Sequence, residues 1–169
     1  MRAGAGPTED PFGERRRPAR RLRVCVLGGD FDFVSDSPEL LRIAARAYAG
    51  LPAQRLARSG ARFEVRLVLG PERRPGARAA PPVQPLAAGE LLIGAVARSS
   101  FMAVDARRRS ALVLVSPELL RFPHMVRYEL IEFAVYCLAA RAQRLVPLHA
   151  ACVGAAGGAA LLLGASGAG

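Results

Sequence analysis

The period of the apolar residues changes several times along the chain, and each change marks an element. Leu22–Leu27 (LRVCVL) reads as a strand closed by Gly28-Gly29. Asp36-Ser37-Pro38-Glu39 has the make-up of a helix start: a capping residue, Pro in the first turn, then an acid favoured by the helix dipole. Leu40, Leu41, Ala44, Ala47 and Tyr48 follow at helical spacing, and Gly50 ends the run. Phe63, Val65, Leu67 and Leu69 alternate with Glu64 and Arg66, which predicts a half-buried strand over 63–69. Pro71–Gly89 holds Pro71, Pro75, Pro81, Pro82 and Pro85 and is expected to be a long loop, since Pro removes donors and blocks helix and central strand alike. Val104 and Ala111–Val115 flank the basic turn Asp105–Ser110 and predict a hairpin, with Arg107, Arg108 and Arg109 solvated at its tip.

Ser116-Pro117-Glu118 starts a short helical piece, and Pro123 opens the longest helix, expected over Pro123–Arg144. Val126, Leu130, Phe133, Ala134, Cys137, Leu138 and Arg141 share one broad face, and Tyr128, Ile131 and Val135 widen it, so this helix is expected to be largely buried. Glu129 and Glu132 read as its exposed stripe, with catalytic acids as the alternative. After Pro147, Leu148–Val153 reads as a strand, Gly154–Gly158 as a turn and Ala159–Leu163 as a second strand.

Composition narrows the classes. A chain of 169 residues suits one ordinary domain or two small ones, and 51% hydrophobic residues argue against wholesale disorder. The long apolar segment Met125–Ala142 carries Arg127, Glu129, Glu132 and Arg141, which makes it a poor membrane span. The arginines before Leu22–Gly29 precede too short an apolar run for a signal peptide, so a cytoplasmic location is expected, without membrane association. The net charge is +10, and every basic residue is Arg. Seven of these arginines face three acids within residues 1–23. Residues 1–21 mix Gly, Pro, acids and Arg without periodicity and are expected to be a disordered basic tail. Phe12 is the tail's one aromatic, so it offers no stacking platform, and specific nucleic-acid binding is not expected. Cys25, Cys137 and Cys152 lie in apolar stretches without metal spacing and are expected to be buried and reduced. His124, at a helix start, is expected to be a surface or capping residue.

The strongest chemical signal is ALLLGASGAG, Ala160–Gly169: an apolar run followed by a Gly-rich turn. A Walker A loop is G-x-x-x-x-G-K-[S/T] between a strand and a helix, and Gly164 and Gly169 hold its two glycine positions. The Lys and hydroxyl residue of the motif do not follow within the chain, which is therefore expected to stop inside the loop. Phosphate oxygens need a fixed array of donors, and successive backbone N–H groups supply one when the chain curls into a nest. That curl needs positive φ and room for the ligand, which suits Gly164, Gly167 and Gly169. Gly164, Ala165, Ser166, Gly167, Ala168 and Gly169 are thus the candidate nucleotide-binding residues. A flexible Ala/Gly end is the competing reading.

The stretch Leu148-His149-Ala150-Ala151-Cys152-Val153-Gly154, then Leu161-Leu162-Leu163-Gly164-Ala165-Ser166-Gly167-Ala168-Gly169, resembles the P-loop entry of bacterial HPr serine kinase/phosphorylase-like proteins. The helix start with Arg127, Tyr128 and Glu129 is similar to the divergent HPr-kinase-related branch. The resemblance covers residues 123–169, and Ala150 stands where the best-known members have Gly. It implies an ATP-dependent serine kinase using Mg²⁺, with a protein or small-molecule hydroxyl as acceptor, and His149 near the phosphates as a catalytic candidate. On its own residues, a single His opening an apolar strand is more often a hydrogen-bonded structural residue.

The expected architecture is an α+β N-terminal domain leading into a truncated α/β P-loop kinase core: a basic tail at 1–21, the α+β domain at 22–121, and the start of the kinase domain at 122–169. Such a fragment is expected to be inactive. A P-loop ATPase of ABC or transport type and a non-catalytic regulatory α+β module are the alternatives, and a homo-oligomer stays open.

Overall fold

The computed structural model describes residues 20–51, 61–70, 83–88, 91–96, 99–146, 148 and 150–164. Residues 1–19 of the expected tail and 71–82 of the expected Pro-rich loop lie outside them.

The fold is α+β. A seven-stranded mixed sheet has the order β1-β2-β3-β7-β6-β5-β4. Its strands are β1 (Arg20–Val26), β2 (Gly29–Ser35), β3 (Arg62–Leu69), β4 (Val83–Ala88), β5 (Leu91–Val96), β6 (Ser100–Asp105) and β7 (Ser110–Val115). β2, β3 and β7 run parallel at the centre. β1 pairs antiparallel with β2 at one end, and β7-β6-β5-β4 form an antiparallel meander at the other. Helix α1 (Pro38–Ala47) crosses between the parallel strands β2 and β3, as a parallel connection requires.

Helix α1 begins as the sequence predicts. The Ser37 side chain caps it by accepting from the Leu40 N–H, with Pro38 in the first turn and Glu39 beside it. Leu40, Ala44 and Ala47 are its buried positions. The alternation in β3 also holds, with Phe63, Val65 and Leu67 buried. The expected hairpin around Asp105–Ser110 is β6–β7, with Arg107, Arg108 and Arg109 exposed at its tip. The Asp105 carboxylate accepts from the Arg108 N–H at 3.0 Å, and Arg109 takes the left-handed conformation (φ 54) that closes the turn.

Three strands depart from the sequence reading. The first strand starts at Arg20, with Arg20 and Arg21 paired to Ser35 and Val34 rather than belonging to the tail. Gly28-Gly29 does not close it into a loop. Leu27 and Gly28 form a two-residue turn with φ of 50 and 76, and Gly29 opens β2. Positive φ at both central residues is the geometry that matches hairpin twist, and leucine seldom adopts it, so the turn signal is weak. The Pro-rich stretch also contains β4, with Pro85 opposite Gly94 of β5. β4 is the sheet's last strand, where a missing N–H costs no ladder bond on the open side.

Beyond β7, a 3₁₀ turn (Leu119–Arg121) leads into α2 (Pro123–Met125), a π-helical stretch (Val126–Glu132) and α3 (Phe133–Gln143). These run on from one another, as the expected helix over Pro123–Arg144 does, except for the widened middle. Arg144 ends α3 in the left-handed conformation (φ 53), and the Leu145 N–H reaches back to the Ala140 carbonyl at 2.8 Å. Val126, Leu130, Ile131, Ala134, Val135, Cys137 and Leu138 are buried, whereas Tyr128 is exposed.

One core runs from β1 to α3. Phe31, Phe33, Val65, Leu67, Met102, Val104 and Val113 from the sheet meet Leu40 of α1 and Leu130, Ile131 and Leu138 of the later helices. Its centre is a stacked pair, Phe31 on Phe63, with ring centroids 4.6 Å apart. Buried hydroxyls satisfy the backbone where strands end. Ser35 Oγ donates to the Leu67 carbonyl at 2.7 Å and accepts from the Ser37 N–H at 3.0 Å. Ser100 Oγ accepts from the Ser116 N–H at 2.9 Å and lies 3.1 Å from Ser116 Oγ.

The chain then forms a separate two-stranded hairpin, β8 (Ala151–Ala155) and β9 (Gly158–Leu162). The expected strand over 148–153 therefore starts later, at Ala151, and the turn contracts to Ala156-Gly157, with Gly157 at φ 93.

Candidate functional site

Both strands of the β8–β9 hairpin are apolar, yet every residue in them is exposed. Val153, Leu161 and Leu162 leave more than half of their surface open, as does Leu163 just beyond. The last register pair is Ala151 with Leu162. The chain entering β8 at Ala150 and the chain leaving β9 at Leu163-Gly164 are thus at the same end of the hairpin. Gly164, the first candidate nucleotide-binding residue, is exposed there. His149, Ala165, Ser166, Gly167, Ala168 and Gly169 lie outside the described residues. His149 adjoins Ala150 in sequence.

A second cluster joins residues that the sequence pattern does not connect. The Arg127 Nε donates to Glu132 Oε1 at 2.6 Å, and its Nη2 donates to the Ala47 carbonyl at 3.3 Å, the last residue of α1. The guanidinium also sits 4.7 Å from the centroid of the Tyr128 ring. The hydrogen bond to Glu132 raises the Arg127 pKa further above its ordinary value. Tyr48 packs beside this pair, stacked on Phe33, and its buried hydroxyl has no hydrogen-bond partner among the described residues. Burial first, and the Glu132 charge second, push the Tyr48 pKa up, so the phenol stays protonated. Glu132 is therefore not part of an exposed stripe: it is half-buried and ion-paired. Five-residue spacing separates two side chains on an α-helix by about 140°. The i→i+5 closure of the π stretch turns them toward each other. Helical periodicity assumes the α pitch, so this pairing has no sequence signal. The arrangement places a cation on the α1 C-terminus and ties α1 to the later helices.

The third feature is a shallow groove of about 510 Å³ lined by Leu92, Tyr136, Cys137, Ala140, Arg141, Arg144 and Leu145. Burial raises the Cys137 thiol pKa, which disfavours the thiolate a nucleophile needs. Cys137 matches the expectation of a buried cysteine, whereas Cys152 is exposed on β8 and Cys25 is half-buried. His124 is exposed and lies edge-on to Phe122. Among the described residues, no group of three or more His, Cys, Asp or Glu is placed to hold a metal ion. No described helix is long and apolar enough to cross a membrane.

No family model, no curated protein and no solved structure matches the chain.

Proposed function

We propose that the chain carries the entry hairpin and the glycine half of a phosphate-binding loop of an ATP-dependent serine kinase of the HPr-kinase-related type. The observation that supports this most is the exit of an apolar strand, β9, into an exposed Gly164 at the same hairpin end as Ala150, the neighbour of His149. Strand, then glycine-rich turn, is the context in which backbone N–H groups face phosphate. In the proposed reaction the bond from Pγ to the β,γ-bridging oxygen breaks. A bond from Pγ to the acceptor oxygen forms, ADP leaves with the electron pair of the broken bond on its β-phosphate oxygen, and the acceptor hydroxyl's proton passes to solvent. Amides of residues 164–169 would hold phosphate oxygens, and His149 would lie near the reacting groups by the resemblance. Mg²⁺, when bound with ATP, supplies charge neutralisation on the β- and γ-oxygens.

Without a lysine, binding by main-chain amides alone should be weak, with a dissociation constant on the order of 1 mM. Equilibrium dialysis of the 169-residue chain against Mg·ATP tests this. Gly167→Val should weaken retention at least several-fold, because a β-branched residue resists the nest conformation. Equal retention by both chains speaks against the proposal.

A second reading has its own support. The sheet, α1 and α3 close one core without the hairpin, as a non-catalytic regulatory or binding module would.

A further inference from the structure

The fold brings to one end of the sheet arginines that are far apart in the sequence. Arg62 opens β3, and two residues on the Glu64 N–H donates to the Arg109 carbonyl at 3.1 Å. The β6–β7 tip, residues 107–109, therefore lies beside Arg62. The Asp30 N–H donates to the Ala61 carbonyl at 3.0 Å, which sets the start of β2 alongside. Helix α3 ends here too. Gln143 Nε2 donates to the Leu27 carbonyl in the β1–β2 turn at 2.9 Å, and Arg144 follows as the left-handed residue that closes the helix. Leu92, near the start of β5, lines the groove with Arg144 and Leu145. Strands β3, β7, β6 and β5 are neighbours, so this end is about 14 Å wide.

Its charge is not cancelled within the chain. Arg62, Arg107, Arg109 and Arg144 are exposed and make no ion pair among the described residues. The acids nearby are mostly committed to other arginines: Asp32 to Arg23, Glu64 to Arg66 and Asp105 to Arg108. Asp30 is the acid left over at this end among the described residues. The Arg108 pair is long, 3.6 Å, with the arginine 84% exposed, so it neutralises little. A surplus of one sign on one end of a domain steers surfaces of the opposite sign onto it. The same end also carries apolar side chains in water. Leu145 leaves 38% of its surface open and Val146 80%, directly after Arg144.

We infer that this end of the sheet docks on an anionic lipid surface. The combination of groups decides between occupants. A nucleic-acid backbone takes guanidinium groups on its phosphates and has no place for Leu145 and Val146. A bilayer surface has a place for both: headgroup phosphates and carboxylates for the arginines, and the acyl boundary just beneath for the aliphatic side chains. The arginines stand on three elements across the width of this end, which suits an extended array of headgroups better than one small anion. Clusters of about four to eight basic residues have the size that holds a protein at such a surface, with about fivefold in partition per arginine. The association is peripheral, since no described helix is long and apolar enough to cross a membrane. It departs from the expectation of no membrane association because the cluster is assembled by the fold: Arg62, the tip and Arg144 form no run in the sequence. The surface belongs to the sheet domain and is independent of the phosphate loop.

Co-sedimentation of the full chain with vesicles tests this at about 50 mM salt, comparing roughly 7:3 phosphatidylcholine and phosphatidylserine with phosphatidylcholine alone. The wild type should be retained by the anionic vesicles and at least tenfold less by the neutral ones. Arg62→Gln/Arg107→Gln should lower retention at least tenfold while circular dichroism keeps the wild-type melt. Arg144→Gln, expected to lower it about fivefold, repeats the test should that pair unfold. Val146→Gln, which removes the apolar contact and no charge, should lower it several-fold. Arg15→Gln/Arg16→Gln/Arg17→Gln, in the basic segment before β1, should lower it less than the sheet-end pair does, although it removes more charge. Absence of retention, or equal retention by both kinds of vesicle, overturns the inference. So does retention that the segment variant abolishes and the sheet-end variants leave intact, or that Val146→Gln leaves unchanged. A chain that ignores vesicles but binds an oligonucleotide of about 20 nucleotides through Arg62 and Arg107 overturns it in favour of nucleic acid.

Discussion

Gly29 opens β2 with its Cα hydrogens against the edge of a buried ring, and Gly29→Ala measures how tightly the core is built. A Cβ at this position would lie 2.5 Å from Phe63 Cε2, 2.9 Å from Cδ2 and 3.3 Å from the Ala61 carbonyl oxygen. Carbon atoms prefer about 3.5–4.0 Å, so the ring would have to retreat by about 1 Å. It has nowhere to go. Phe63 is 2% exposed and stacks at 16° on Phe31, which is fully buried. Overpacking of this kind costs about 1–3 kcal/mol. Replacing glycine returns about 0.4–1 kcal/mol by restricting the unfolded chain. The net expectation is a destabilisation of roughly 1–2 kcal/mol. Urea unfolding followed by circular dichroism should show the midpoint falling by about 0.5–1 M at an m-value near 2 kcal/mol/M. Shortening the ring should relieve the clash. In Gly29→Ala/Phe63→Leu the two costs should therefore be sub-additive by about 0.5 kcal/mol or more. A midpoint at or above wild type for Gly29→Ala, or strict additivity in the pair, would refute this packing of ring against strand.

Three further outcomes follow from single contacts. Ser100→Ala removes the acceptor of the buried Ser116 N–H and the partner of Ser116 Oγ, and should cost about 1–3 kcal/mol in the same unfolding assay. Asp32 accepts two hydrogen bonds from the Arg23 guanidinium, which hold its pKa below the ordinary carboxylate value. Its contribution is therefore present above the unfolded carboxylate pKa of about 3.9 and is lost as pH falls through the lower folded value. The stability gap between wild type and Asp32→Asn should be about 0.2–1 kcal/mol at neutral pH, given the exposed Arg23, and should close in acid. A gap that does not narrow as pH falls below about 3.9 counts against the pair. Cys152 is exposed and Cys137 buried with a raised pKa, so iodoacetamide at neutral pH should label Cys152 in the native chain and reach Cys137 only on unfolding. Mass spectrometry of the labelled peptides reads the order.

The elements legible in the sequence are those whose local chemistry and tertiary role agree. Ser37-Pro38-Glu39 caps α1 because a side-chain acceptor, a fixed φ and an acid all suit a helix start. β3 alternates because one of its faces meets the helices, and the β6–β7 and β8–β9 hairpins are bounded by turns with ordinary chemistry. The elements that the sequence hides break a local rule that tertiary structure compensates. β2 is hidden by a turn that puts Leu27 at positive φ. β4 is hidden by Pro85, harmless at the sheet's end, and β5 shows no period because its strand is apolar on both faces. The Arg127–Glu132 pair depends on a π-helical pitch that no α-helical wheel contains. The candidate loop stands out for a different reason. Gly at 164, 167 and 169 after an apolar run is a conspicuous sequence pattern, because glycine is the residue a tight turn at positive φ demands, and residues 165–169 lie outside the described residues.

The most direct test of the central claim reads the loop's own amides. In ¹⁵N-labelled chain titrated with Mg·ATP, and separately with inorganic triphosphate, the amide resonances of residues 164–169 should move in both titrations. They should saturate together in the millimolar range, while those of β1–β7 stay in place. Amides of 164–169 that do not shift with either ligand would contradict the account.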